Sequence, residues 1–199
     1  MPDGLILGFD TSAAHCAAAL LSGERVLAER FEPMDKGQAE RLMPLLAALL
    51  SDAGVDWPQL TAIGVGTGPG NFTGIRIAVA AARGLALGLG VPAIGVPVTE
   101  ALALDLPRPC RVVMPSRRGS VIWQDFAPGA DAASTLPQQS VDAVLPPGPA
   151  PATPLYPLAV AIARIAATRR DNPGPRPAPV YLRPADAAPG RDVAPAIVP

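Results

Sequence analysis

Apolar and polar positions change period along the first hundred residues in a definite order. Leu5-Ile-Leu-Gly-Phe9 is a short unbroken apolar run and reads as a buried strand ending at Asp10-Thr11-Ser12. Ala13 to Leu21 is a second run of strand length, made mostly of small residues. Ser22-Gly-Glu24 is a hairpin signal, and Arg25 to Phe31 alternates well enough to be the partner strand. The period then shifts. Leu42, Leu45, Leu46, Leu49 and Leu50 fall at i, i+3, i+4, i+7 and i+8, which predicts a helix with one continuous apolar stripe. Pro44 sits inside that pattern and predicts an irregular first turn or a kink. A strand over 61–66, a glycine-dense turn, a long Ala-rich helix over 72–89, a short strand over 92–95 and a weaker helix over 99–106 follow.

Three strands in antiparallel succession, then helix, strand, helix, strand, helix, is the order of the ribonuclease H-like and actin-like ATPase folds. These are α/β folds with helices on both faces of a mixed sheet. Beyond residue 106 the patterning weakens. Most of the 26 prolines lie there, whereas most of the 19 glycines lie before it. The sequence therefore predicts a complete α/β domain over 1–106 and a reduced, proline-rich second domain over 107–199. Within the latter, 111–114 and 120–126 read as strands around a Pro-Ser-Arg-Arg-Gly turn and 127–153 as a loop. Leu155 to Ala167 reads as a helix and Val180 to Arg183 as a last strand.

The turn before the long helix carries most of the candidate chemistry. Gly66, Gly68 and Gly70 permit positive φ and close approach of backbone. A turn of that kind opening a helix gathers unpaired N–H groups and the positive end of the helix dipole at one spot. Such a spot suits an anion or a closely packed backbone. Two familiar phosphate loops are excluded: the sole lysine is Lys36, far from any Walker A position, and the glycine spacing lacks the sixth-position glycine of the dinucleotide fingerprint. A nucleotide site in this chain would draw on Asp10, Thr11, Ser12, Gly68, Pro69, Gly70, Asn71 and Thr73. The plainer reading of Asp10-Thr11-Ser12 is turn chemistry, in which short polar side chains bond neighbouring N–H groups.

At 100° per residue, Arg76, Ala80, Arg83 and Leu87 share one stripe of the long helix. Ile77 and Gly84 flank it, and nearly all the remaining circumference is apolar or small. A helix in the outer layer of such a fold buries one side on its own sheet. An apolar outer side as well predicts cover by another polypeptide, at Arg76, Ile77, Ala80, Arg83, Gly84 and Leu87.

Bulk properties narrow the classes. The net charge is −1 and the pI is near 5.8, so no overall basic field draws nucleic acid or anionic membrane. The apolar stretch 75–89 is interrupted by Arg83 and reads as too short to span a bilayer. The N-terminus lacks signal-peptide features, so a cytoplasmic location is expected. His15 is the one histidine, which removes any multi-histidine metal site and suits a satisfied polar residue on the sheet. Cys16 and Cys110 read as reduced, packed thiols.

Asp-Thr-Ser closing Leu5–Ser12, the stretch Gln38–Leu50, and above all Gly66-Thr-Gly-Pro-Gly-Asn-Phe-Thr-Gly-Ile-Arg76 with Arg83-Gly-Leu-Ala86 resemble the TsaB (YeaZ) family. The resemblance covers residues 4–105, with Arg117-Arg-Gly119 and Tyr181-Leu-Arg183 as its anchors beyond. Gln38-Ala-Glu40 stands where the family often has His-Ser-Glu, and Pro115-Ser-Arg117 where Asp-Ala-Arg is common. The resemblance implies a non-catalytic subunit of the machinery that makes threonylcarbamoyladenosine in tRNA. It implies a TsaD-like catalytic subunit and a TsaE-like ATPase as partners, with a homodimer as a further possibility and tRNA reached only through the complex. No cofactor of its own is expected; ATP and a divalent metal would belong to the partners. TsaD-like proteins carry an HxxxH metal motif, which a chain with one histidine lacks. The alternative is an actin-like ATPase or phosphotransferase acting alone; a peptidase lacks both metal ligands and a convincing triad.

Overall fold

A computed structural model of the chain describes residues 4–116, 119–129 and 136–182. The α/β architecture expected from the element order is present. Strands β1 (Leu5–Asp10), β2 (His15–Ser22) and β3 (Arg25–Pro33) form an antiparallel meander. They are followed by α1 (Gln38–Asp52), β4 (Leu60–Gly66), α2 (Phe72–Leu89), β5 (Ala93–Val96) and α3 (Val98–Leu102). The five strands lie in the order β3-β2-β1-β4-β5, with β4 parallel to β1 and β5 parallel to β4.

Alternation along the strands sorts the core into two layers. Leu7, Phe9, Ala18, Leu20, Ile63 and Val65 face the leucine stripe of α1 and the inner side of α2. Ile6, Ala17, Ala19, Leu21 and Ala62 face the opposite way, onto a helix from the other half of the sequence, α4 (Leu158–Arg169). α4 lies close because the sheet presents no side chain at Gly8 and Gly64, where the helix backbone and methyls come nearest. A Cβ on Gly8 would stand 2.6 Å from the Ala159 carbonyl oxygen, and one on Gly64 would stand 2.7 Å from the Ala166 methyl. The structural layers thus cross the boundary expected at residue 106: the sheet of the first segment is completed by a helix of the second.

The rest of the second half builds a small antiparallel sheet of β6 (Cys110–Pro115), β7 (Val121–Phe126) and β8 (Gln138–Ser140). β8 lies inside the stretch expected to be loop. Its anchor is polar rather than periodic: Trp123 Nε1 donates to Ser140 Oγ at 2.9 Å, and Gln139 Nε2 donates to Ser120 Oγ at 2.8 Å. Arg111, only 2 % exposed, fixes the following loop by donating to both oxygens of Asp125 and to the Pro146 carbonyl.

Other boundaries also move. α3 ends at Leu102, short of the expected 106, and α4 starts at Leu158 because Pro157 takes the cap position. α1 runs through Pro44, which lies on the exposed side of the helix and has no N–H to give the Glu40 carbonyl. Residues 180–182 form no strand. Val180 makes one ladder-like bond, N–H to the Thr67 carbonyl at 2.8 Å, while Pro177 and Pro179 have no N–H to extend it. Arg183, Arg117 and Arg118 lie outside the described residues.

α2 is 18 residues long with a mean hydropathy of 1.4, and by length and composition it is apolar enough to cross a membrane. This corrects the reading from 75–89 alone, since Asn71 caps the helix a turn earlier. One such helix is weak ground for a span. Ile75, Ala78, Val79 and Ala82 already face the sheet core, and Arg76 and Arg83 interrupt the other side.

Candidate functional site: the glycine loop and the outer helical face

The structure brings the two polar loops together and uses them on each other. Asp10 is fully buried at the end of β1, and its Oδ1 accepts from Ser12 N–H, Ser12 Oγ and His15 Nε2 at 2.8, 2.8 and 2.9 Å. This is the turn chemistry expected of Asp-Thr-Ser, with His15 as the satisfied polar residue on the neighbouring strand. Thr11 Oγ1 donates to the Gly74 carbonyl at 2.7 Å, and Asn71 N–H donates to the Ser12 carbonyl at 2.6 Å. A Cβ on Gly74 would reach within 1.9 Å of the Thr11 carbonyl oxygen, and one on Gly70 within 2.3 Å of that of Ser12. Of the two uses open to the glycine turn, close backbone packing accounts for Gly70 and Gly74.

Gly68 and Pro69 are buried in the same turn. Gly68 has φ of +92°, a region that favours glycine, and its carbonyl accepts from Val98 N–H. Thr73 lies at the surface, with its N–H given to the Asn71 side chain at 3.0 Å as the helix N-cap. Gly66 leaves room for the Asp10 carboxylate, since a Cβ there would stand 1.9 Å from Oδ2. That oxygen is buried and has no hydrogen-bond partner among the described residues.

In front of this junction lies a cleft of about 870 Å³, bounded by Ser12, Asn71 and Phe72 on one side and Met114, Ser116, Ser120 and Gln139 of the small sheet on the other. Among its described lining residues the one charged group is Asp35, which is acidic. The lining therefore offers polar donors but no described cation to offset a polyphosphate.

The second candidate surface is the outer face of the α1/α2 layer. Arg76, Ala80, Arg83, Gly84 and Leu87 are exposed, and Ile77 is partly so. Leu87 is 83 % exposed, and an added Cβ at Gly84 or Gly88 would meet nothing within 4 Å. α1 continues the surface with Ala39, Met43, Pro44, Ala47 and Ala48, all exposed. Sequence reasoning stopped at the leucine stripe of α1 and missed this second apolar side; the same helical projection could have shown it. It also missed the cluster at the head of α2. There the Arg76 guanidinium lies 3.8 Å from the centre of the Phe72 ring and donates from Nε to Tyr181 Oη at 2.8 Å.

Burial pushes the thiol of Cys16 up to about 11, with the charge of Glu32 adding to the effect, and its S–H points to Met34 Sδ at 3.6 Å. Cys16 is a packed thiol, in keeping with its place under α1.

The family described as TsaD: tRNA N6-adenosine threonylcarbamoyltransferase matches residues 26–151, more than half of the chain. The chain belongs to the TsaD family. Among solved structures, YeaZ from Pseudomonas aeruginosa superposes with a TM-score of 0.67 at 26% identity, over 90% of this chain and 100% of its own. A crystal structure of an uncharacterized protein with similarity to peptidase YeaZ, from the same organism, gives the same values. No curated protein matches by sequence. Within the TsaD family the chain is thus of the YeaZ (TsaB) type, with the actin-like, ribonuclease H-like fold. That kinship gives it a place in tRNA modification.

Proposed function

We propose that this chain is a non-catalytic scaffold subunit that binds and stabilises a TsaD-like catalytic subunit making threonylcarbamoyladenosine next to the tRNA anticodon. One observation carries the reading: α2 is an apolar helix of 18 residues of which five are buried, and its open side carries Ala80, Gly84, Leu87 and Gly88. Small residues let a second helix come close, and Leu87 with Met43 of α1 offers apolar contact area beside them. Arg76, Ile77, Ala80, Arg83, Gly84 and Leu87 are the contact residues. ATP and metal chemistry then reside in the partners, including a TsaE-like ATPase, and tRNA is met through the assembled complex in the cytoplasm.

The test is association of the purified full chain with the TsaD-family subunit encoded by the same genome. A defined complex at micromolar concentration, seen by light scattering after size exclusion, supports the reading. Separate elution with and without ATP rejects it.

A second reading is favoured by the cleft at the head of α2, where Ser12 and Asn71 stand beside an 18-residue helix. There the chain alone would act as an ATPase or phosphotransferase through Asp10, Thr11, Ser12 and the loop from Gly68 to Thr73. Calorimetry with ATP and magnesium distinguishes it: tight binding and turnover abolished by Asp10→Ala would displace the scaffold role.

A further inference from the structure

After α4 the chain returns to the head of α2 and crosses it as a strap, residues 177–182. Pro177 lies on β5, where a Cβ on Gly95 would stand 3.3 Å from its Cα. Val180 N–H donates to the Thr67 carbonyl at 2.8 Å, and the Val180 carbonyl oxygen lies 2.9 Å from where a Cβ on Gly68 would be. These contacts fasten the strap to the end of β4 and the glycine turn. Pro177 and Pro179 restrict the unattached strap, so less conformational freedom is lost when it is fastened.

The next two side chains go to different bodies. The Tyr181 ring packs on Phe72 with ring centres 4.7 Å apart, and its hydroxyl accepts from Arg76 Nε at 2.8 Å. Leu182 packs instead with Val98 of α3, Met114 of β6 and Ile122 of β7. Phe72 lines the cleft on the side of the first sheet, and Met114 lines it on the side of the small sheet. Adjacent Cα atoms across a trans peptide stand about 3.8 Å apart. One peptide unit therefore ties the two walls of the cleft together at this end. The joint is built at the surface, since Tyr181 is 38 % exposed and Arg76 is exposed too. A surface hydrogen bond and one aromatic contact are each modest, so the joint can open without unfolding the sheets.

We infer that the strap 177–182 pins the two walls of the cleft at the head of α2, and that the contact of Tyr181 with Phe72 and Arg76 sets the width of that cleft. The inference concerns the chain alone and does not depend on the scaffold reading. The experiment uses the full chain with spin labels on Asp35→Cys and Val141→Cys, exposed positions on opposite walls of the cleft. Cys16 and Cys110 are buried, which confines labelling to the introduced pair. Pulsed dipolar spectroscopy reads the label separation, and NMR hydrogen exchange reads the Val180 amide. The Leu7 amide, in the middle of the five-stranded sheet, reports global stability. The otherwise unaltered chain should show one narrow separation. Tyr181→Ala should broaden it and speed Val180 exchange about tenfold, with Leu7 unchanged. Tyr181→Phe keeps the ring and loses the hydrogen bond, and should speed Val180 exchange about threefold. An unchanged separation in Tyr181→Ala, whatever Val180 does, would overturn the inference, as would an equally broad separation with Tyr181 in place. Should Leu7 also accelerate in Tyr181→Ala, the Tyr181→Phe chain decides: faster Val180 exchange supports the pin, and unchanged exchange overturns it.

Discussion

Two alanine-rich helices cover opposite faces of one sheet and meet different fates. α4 sits against Gly8 and Gly64, and Ala159, Val160, Ala161, Ile162, Ala163, Ile165 and Ala166 are all buried. α2 sits against β1 and β4 with Ile75, Ala78, Val79 and Ala82, but Ala80, Gly84, Leu87 and Gly88 remain open. Composition alone does not separate the two. The difference lies in what the chain puts behind each helix: α3 packs on α4 and Leu158 at its start reaches Met114 and Ile122, whereas among the described residues α2 has α1 alongside and Tyr181 at its head. Small residues on α4 serve internal packing; on α2 they leave an outer face open, the one proposed above to receive a partner helix.

Glycine substitutions break or sharpen that contrast most strongly. Gly64→Ala and Gly8→Ala each put a methyl into α4, and each should lower stability by about 3 kcal/mol through overpacking, read as a fall in urea midpoint. An unchanged midpoint would mean that α4 is not seated on the sheet backbone. The same change on the other helix should have the opposite sign: Gly84→Ala fills open space and should stabilise the isolated chain by about 0.5–1 kcal/mol.

Bulk on the two helices should separate stability from binding. Ala80→Trp should weaken the complex with the TsaD-family subunit about hundredfold, as expected for the centre of a contact. The isolated chain should stay within about 0.5 kcal/mol of wild type in stability. Ala163→Trp, in the enclosed helix, should prevent folding. Equal effects of both on stability would erase the contrast.

Smaller effects test the inner side of the α1/α2 layer. Asn71→Ala removes the α2 cap and should cost about 1 kcal/mol by denaturation. Cys16 should resist alkylation in the native chain near pH 8, because a thiol pushed up to about 11 remains protonated there. Rapid native labelling would show that the layer beneath α1 opens.

Much of this was legible in the residues. The leucine stripe of α1, the alternation of β3 and the capped apolar run of α2 are local patterns, and they give the order of the first eight elements. Gly66-to-Arg76 was legible as a backbone device, but whether it packs an anion or another loop depends on Ser12 and Gly74, which are distant in sequence. β8 escaped because three residues held by Trp123 and Ser120 have no period to detect. The return of α4 to the first sheet escaped for a different reason. Ala and Ile at helical spacing state that a helix is buried, not against which sheet, and the partners Gly8 and Gly64 are silent in any hydropathy pattern. The outer side of α1 was readable in Met43, Ala47 and Ala48, yet the stronger leucine stripe masked it.

The most direct test is amide hydrogen exchange of the full chain, alone and saturated with the TsaD-family subunit. New protection should concentrate in 38–52 and 72–89, with 158–169 already protected in the free chain and unchanged by the partner. Protection that arises instead around α4 or the small sheet, or none over α2, would contradict the assignment of the open helical face as the docking surface.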